Sequence, residues 1–339
     1  MRIALVLLAF FSVAGNVAMA DDVMVLNGAG ATFPYPIYSK WFAEFHKLDT
    51  KIEINYQSIG SGGGIRQLLD KTVDFGASDA PMSDEELAKS ATPILHIPTV
   101  LGAVVATYNI PGVSQSINLS SETLADIFLG KITKWDDAKV SKDNAGIKFP
   151  SSPILVVYRS DGSGTTSVFT DYLAKVSPEW KQKVGAGKSV KWPAGLGGKG
   201  NEGVSGQVKQ TPGAIGYVEL IYAEQNKMSV AKIKNKAGQF IAPSSKSVTA
   251  AANASLKTIP KDFRVSITDA EGKESYPIAS FTYLLVYSKM EAKKAQVLTK
   301  FIDWAMNDGQ KMAEPMAYAP LPKSMVAQVK TRMKELKAE

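Results

Sequence analysis

Three times along this chain, a short stretch of glycine, serine and threonine runs directly into a segment with helical apolar spacing. The first is Gly28-Ala29-Gly30-Ala31-Thr32-Phe33-Pro34, followed by Ile37, Trp41, Phe42, Phe45 and Leu48. Pro34 suits a first helical turn, where no amide donor is required. The second is Gly60-Ser61-Gly62-Gly63-Gly64, which leads into Ile65, Leu68 and Leu69. Ahead of it, Ile52-Glu53-Ile54-Asn55-Tyr56 alternates like a strand. The third is Arg159-Ser160-Asp161-Gly162-Ser163-Gly164-Thr165-Thr166, between the apolar strand-like run 154–158 and a helical face of Val168, Phe169, Tyr172, Leu173 and Val176. Strand, small-residue loop and helix in series constrain the chain to an α/β fold, with such loops at the carboxyl ends of strands.

Loops of this kind leave amides unpaired at the positive end of a helix dipole, and glycine lets the backbone approach a ligand closely. A single copy reads as an ordinary turn or cap. Three copies, one opening on Arg159, point to an oxyanion site. A fourth element, Val73-Asp74-Phe75-Gly76-Ala77-Ser78-Asp79-Ala80-Pro81, reads as a short strand emerging at Asp79. On position alone Asp79 has two readings. It could cap a helix starting near Ser83, or it could accept a proton from the ligand. An ionised carboxylate only accepts hydrogen bonds, so the second reading favours orthophosphate, which keeps a proton at neutral pH, over sulfate, which keeps none.

The rest of the sequence sets the context. Its 339 residues suggest about two domains. Residues 1–20 read as a signal peptide: Arg2, an apolar run over 3–14, then Ala18-Met19-Ala20 as a cleavage site. The expectation is export to a periplasm and a mature chain from Asp21, soluble after cleavage. Cysteine is absent, which excludes disulfides, thiolate chemistry and a lipidated cysteine tether. The formal charge of +7 comes from scattered lysines, with no basic arm of the kind that binds nucleic acid.

These motifs carry a family resemblance. Leu26-Asn27-Gly28-Ala29-Gly30-Ala31-Thr32-Phe33-Pro34, Phe75-Gly76-Ala77-Ser78-Asp79-Ala80-Pro81 and Arg159-Ser160-Asp161-Gly162-Ser163-Gly164-Thr165 resemble the periplasmic phosphate-binding proteins of high-affinity phosphate ABC transporters. So do Leu129-Gly130-Lys131-Ile132-Thr133-Lys134-Trp135-Asp136-Asp137, the stretch from Val190-Lys191-Trp192-Pro193 through Gly200, and Pro212-Gly213-Ala214-Ile215-Gly216-Tyr217-Val218-Glu219. The likeness is weakest over 225–275. It implies a two-lobed periplasmic binding protein fold of type II, with two discontinuous α/β domains joined by a two-crossing hinge. Lobe I would be 21–104 and 283–339, and lobe II 105–282. The apolar segments 104–110 and 283–287 are the candidates for adjacent crossings.

The resemblance also implies the ligand contacts. Thr32 and Phe33 donate from the first loop and Ser61 from the second. Asp79 accepts the phosphate proton. Arg159 supplies the positive charge, held by Asp161, while Ser163, Gly164 and Thr165 donate from the third loop. Gly62 stands where a serine is common in the family, so no second hydroxyl is implied beside Ser61. The implied partners are inorganic phosphate and membrane permease subunits, with the protein itself a monomer that needs no cofactor or metal.

Rival classes fit less well. Of the two histidines, His46 lies within an amphipathic helical pattern and His96 in an apolar stretch, both settings that are more often structural, so a hydrolase lacks an evident base. Asp161 replaces the first glycine of a Gly-x-Ser-x-Gly elbow around Ser163. Gly195-Leu196-Gly197-Gly198-Lys199-Gly200 matches a dinucleotide pattern, but Pro193 interrupts the strand it would need. That segment reads as a turn-rich structural loop, with contact to ligand or partner as the minor alternative. A scaffold or adhesion protein would not need the full set of ligand residues. Arsenate, which is also protonated, stays open as a ligand.

Overall fold

The computed structural model describes residues 23–339, and the signal peptide read over 1–20 lies outside the described residues. The alternating and apolar runs form nine strands of one mixed sheet. They are β1 (Met24–Gly30), β2 (Ile52–Ser58), β3 (Phe75–Ser78), β4 (Ile94–Tyr108), β5 (Leu155–Arg159), β6 (Leu196–Gly198), β7 (Ala214–Glu219), β8 (Ser229–Val230) and β9 (Ala279–Tyr287). In space they run β2-β1-β3-β9-β4-β7-β5-β6, with β8 also on β4. Parallel pairing is confined to β1 with β2 and β3, and to β5 with β6 and β7. The antiparallel strands β4 and β9 join these two parallel halves.

β4 makes the join because it is long and buried throughout its 15 residues. Its first part, from Ile94 to Ala103, pairs with β9, and its last part, from Val104 to Tyr108, pairs with β7. Pro98 has no amide to donate, and the register shifts beside it so that Thr99 is left over as a bulge. The hydroxyl of Thr99 then donates to the Thr282 carbonyl at 3.1 Å.

The expected crossings, 104–110 and 283–287, are both in strands, but they do not face each other. Residues 283–287 lie against 94–98, and 104–108 lie against β7. The chain returns to Val104 earlier. Val104 N donates to the Ile278 carbonyl at 2.9 Å, and the Tyr276 hydroxyl donates to the Val104 carbonyl at 3.0 Å. A strand pattern shows which residues are buried but not which partner they meet.

Seven helices matter to the site: α1 (Tyr35–Leu48), α2 (Ser61–Leu69), α3 (Asp84–Leu87), α4 (Gly164–Val176), α5 (Gly200–Gln210), α6 (Leu220–Gln225) and α7 (Ala292–Asn307). Ile37, Tyr38, Trp41, Phe42 and Phe45 form the buried face of α1. Phe42 and Phe45 pack on Phe301 of α7, with ring centroids 5.2 and 5.4 Å apart. Phe301, Ile302 and Ala305 are core, and Trp304 is partly buried against it.

The second small-residue loop is shorter than its sequence implies. Helix α2 already begins at Ser61, so three glycines occupy its first turn. Glycine is a poor helix former, but here it permits close approach. A Cβ on Gly64 would lie 2.4 Å from both the Ala29 carbonyl oxygen and the Gly30 Cα. Gly64→Ala should therefore destabilise the protein by about 1–3 kcal/mol, although alanine favours helix elsewhere. Chemical unfolding of the ligand-free protein checks this, and a stabilised variant would refute the close-packing account.

Candidate functional site

Parallel pairing aligns the carboxyl ends of β1, β2 and β3, where Gly30 is level with Ser58 and Ala77. In the other half, Arg159 at the end of β5 is level with Gly198 at the end of β6. The loops leaving these ends meet between the two halves. The Gly62 amide donates to the Gly162 carbonyl at 2.8 Å, joining the second loop to the third. A Cβ on Gly164 would fall 2.4 Å from Ser61 Oγ and 2.5 Å from Asp79 Oδ2, so only glycine fits there.

Arg159 brings a buried positive charge to this junction. Its side chain is 1% exposed. Asp161 grips it in a two-pronged pair, accepting Nε at 2.8 Å on Oδ1 and Nη2 at 2.5 Å on Oδ2. The fork geometry of guanidinium suits this arrangement. Nη1 points the other way and donates to Thr165 Oγ1 at 3.3 Å. Burial, the largest influence, would raise the Asp161 pKa, but the bonds and charge of Arg159 together with backbone amides, that of Gly200 among them, hold it below the usual carboxylate range. Ser163 caps α4, accepting the Thr166 amide at 3.0 Å, which leaves its hydroxyl proton free to donate elsewhere.

Asp79 faces the same junction from the end of β3 and is buried. Thr282 Oγ1 donates to its Oδ1 at 2.9 Å, and its own amide reaches Ser61 Oγ at 3.4 Å. It does not cap a helix. Ser83 caps α3 instead, in a reciprocal box with Glu86, so that reading of Asp79 falls. Desolvation raises the Asp79 pKa to about 7, against the opposing pull of Thr282 and Arg159.

Thr32 and Phe33 come from the loop after β1. The Thr32 carbonyl accepts the Tyr222 hydroxyl at 2.5 Å, and the Phe33 carbonyl accepts the Tyr318 hydroxyl at 2.6 Å. Thr32 also meets a residue that the sequence reading missed. Asn201, fully buried in the first turn of α5, donates its Nδ2 to Thr32 Oγ1 at 2.7 Å and to Thr165 Oγ1 at 3.3 Å. The Gly195–Gly200 segment is thus not a turn-rich loop. Leu196–Gly198 is strand β6, parallel to β5, and it feeds α5 after Lys199. It is a fourth copy of the strand–loop–helix device, and the Gly200 amide donates to Asp161 Oδ1 at 3.0 Å. Val204 and Val208, buried four residues apart, are the helical signal that marks it.

The two halves touch beyond the loops as well. Lys188 pairs with Glu86 at 2.8 Å, and Arg264 pairs with Asp84 at 2.6 Å. Between the halves, beside Asp79, lies a cavity of about 200 Å³ lined by Asp79, Pro81, Ser167, Gly187, Thr268 and Ser280. The histidines stand apart from this chemistry. His96 Nε2 accepts the Met82 amide at 3.0 Å, and burial lowers its pKa to about 3. His46 Nδ1 lies 2.7 Å from the Ile52 carbonyl oxygen. Among the described residues, no cluster of His, Cys, Asp or Glu is arranged to hold a metal ion.

Two parallel half-sheets, with donor loops facing across an antiparallel join, define a binding protein of the PBP superfamily, and the family model described as "PBP superfamily domain" matches residues 16–308. Two curated relatives narrow this. The chain is 46% identical over 320 residues to the phosphate-binding protein PstS of Pasteurella multocida, covering 94% of this chain and 92% of that one. It is also 46% identical over 316 residues to the phosphate-binding protein PstS of Haemophilus influenzae, covering 92% and 93%. This chain belongs to the PstS phosphate-binding protein family. The fold is shared with a high-affinity periplasmic phosphate-binding protein, PfluDING, solved bound with phosphate, at a TM-score of 0.72 and 24% identity over 91% of this chain and 93% of that one.

The Asp79 environment makes a prediction for the ligand-free protein. Its pKa is raised from 3.8 to about 7 on folding. A raised carboxyl stabilises the fold fully below the unfolded value, and that contribution is lost as pH climbs through the folded value. Wild type should therefore lose stability relative to Asp79→Asn between about pH 4 and 7. Thermal unfolding of both proteins across that range checks it, and parallel curves would place Asp79 in a more hydrated setting.

Proposed function

We propose that this chain is an extracytoplasmic solute-binding protein that captures inorganic phosphate between two lobes and delivers it to an inner-membrane ABC permease. The observation that carries the reading is the junction itself, where Arg159, held by Asp161, faces Asp79 within a ring of donor loops from both halves of the sheet. On this reading Thr32, Phe33, Ser61, Ser163, Gly164 and Thr165 donate to the phosphate oxygens, Arg159 supplies charge, and Asp79 accepts the phosphate proton. The bond of Arg159 to Asp161 leaves the site close to neutral, so oriented donors rather than excess charge hold the ligand. The likeness to the PstS proteins supports phosphate as the ligand and binding rather than catalysis as the activity.

Lobe I is read as 21–104 with 283–339, and lobe II as 105–282. Donors from both are needed around one ligand, so phosphate favours the closed arrangement, and closure is what a permease can recognise. Export to the periplasm rests on the leader-like residues 1–20. No helix among the described residues is long and apolar enough to cross a membrane.

Calorimetric titration of protein stripped of ligand tests the reading. Phosphate should bind with micromolar affinity or better, about −8 kcal/mol. Arg159→Ala should weaken it by about 2–5 kcal/mol, with the fold retained. Binding weaker than millimolar in wild type, or unchanged affinity without Arg159, would falsify the assignment. Asp79 adds a specificity test. Above its pKa the carboxylate offers only lone pairs and opposes sulfate, whereas an amide can donate. The phosphate-to-sulfate affinity ratio should therefore fall in Asp79→Asn, and an unchanged ratio would put selectivity elsewhere.

A further inference from the structure

Asn201 has the geometry of a part that sets the direction of other groups' protons. Its side chain makes three bonds, and they fix which way the amide faces. The Glu219 backbone amide, which can only donate, reaches Asn201 Oδ1 at 3.0 Å. The oxygen therefore points at Glu219, and the two hydrogens on Nδ2 point away from it. One goes to Thr32 Oγ1 at 2.7 Å and the other to Thr165 Oγ1 at 3.3 Å.

A threonine hydroxyl has one proton to donate and two lone pairs to accept with. Thr32 Oγ1 accepts twice from the same residue, from Asn201 Nδ2 at 2.7 Å and from the Asn201 backbone amide at 3.2 Å. Thr165 Oγ1 also accepts twice, from Asn201 Nδ2 and from Arg159 Nη1, each at 3.3 Å. With both lone pairs taken, each hydroxyl can act only as a donor. All three side chains are buried, so water does not compete for these bonds. Thr32 stands on the first half of the sheet, while Asn201 and Thr165 stand on the second.

We infer that Asn201 is the positioning residue that turns the Thr32 and Thr165 hydroxyls into obligate donors to the bound anion, and that it reaches Thr32 only when the two halves are together. The inference rests on the phosphate-binding reading of the site. Asn201 acts through the threonines and need not touch the ligand. Without its amide hydrogens, the Thr32 hydroxyl would be free to turn and lend its proton elsewhere. The anion would then meet a lone pair where it needs a donor.

Asn201→Asp is the sharpest substitution. It keeps the shape and the acceptor for the Glu219 amide, and it replaces the donor to Thr32 by an acceptor that competes with the ligand for the Thr32 proton. It also adds a negative charge, which opposes any anion, so the measurement is a double-mutant cycle. Phosphate affinity is titrated in wild type, Asn201→Asp, Thr32→Val and the double variant, with thermal unfolding of each ligand-free protein as a check on folding. The added charge acts in both backgrounds and cancels in the comparison. The expected result is that Asn201→Asp weakens phosphate binding about tenfold more in the wild-type background than in Thr32→Val. Equal losses in the two backgrounds, or no loss in either, overturn the inference while leaving phosphate binding intact. A wild type that does not bind phosphate overturns the functional reading as well, which separates the two failures. Should Asn201→Asp not fold, Asn201→Ala in the same two backgrounds measures the same coupling.

Discussion

The arrangement of the molecule depends on one strand doing two jobs. β4 is a member of both half-sheets, and no loop or linker intervenes between its pairing with β9 and its pairing with β7. Because its residues are buried along the whole length, sliding it would move apolar side chains off both cores at once. Strand register therefore decides which part of β4 serves each half, independently of the loops. The bulge at Thr99 and the return contacts at Val104 sit along this same strand.

Electrostatics at the junction work by cancellation. A buried guanidinium without a partner would be costly, and Asp161 relieves that with two bonds from one side while leaving Nη1 facing inward. The same carboxylate accepts the Gly200 amide, so it also anchors the start of α5 and with it Asn201. Asp79, pushed to about 7 by burial, sits near the pH at which it can be either acceptor or donor. The buried guanidinium and this titratable carboxyl lie on opposite halves of the sheet.

Much of this was legible in the sequence because small-residue loops announce themselves. Thr32, Ser61, Asp79, Arg159, Ser163, Gly164 and Thr165 all stand at the junction the motifs suggested. What stayed hidden had physical reasons. Pro193 masked β6 because the strand is only three residues long and starts beyond the proline. Asn201, just beyond that segment, was therefore not singled out. The partners of the two crossing segments were mistaken because apolar runs report burial, and pairing is settled by neighbours far away in sequence. By position Asp79 could equally cap a helix or accept a proton, and the reciprocal bonds of Ser83 and Glu86 remove the cap reading.

The contacts between the two halves are of unlike kinds. The Gly62–Gly162 backbone bond and the Asn201–Thr32 bond are neutral and interior. The Arg264–Asp84 pair is exposed on its acidic side, at 88% for Asp84, while Lys188–Glu86 is more sheltered. Charges in contact with solvent are screened over a distance of about 8 Å at physiological ionic strength, whereas interior neutral bonds are not. The contact between the halves thus has a rim that feels the surrounding salt and a centre that does not. Ionic strength therefore acts on this contact from the rim inward, leaving the neutral bonds at its centre untouched.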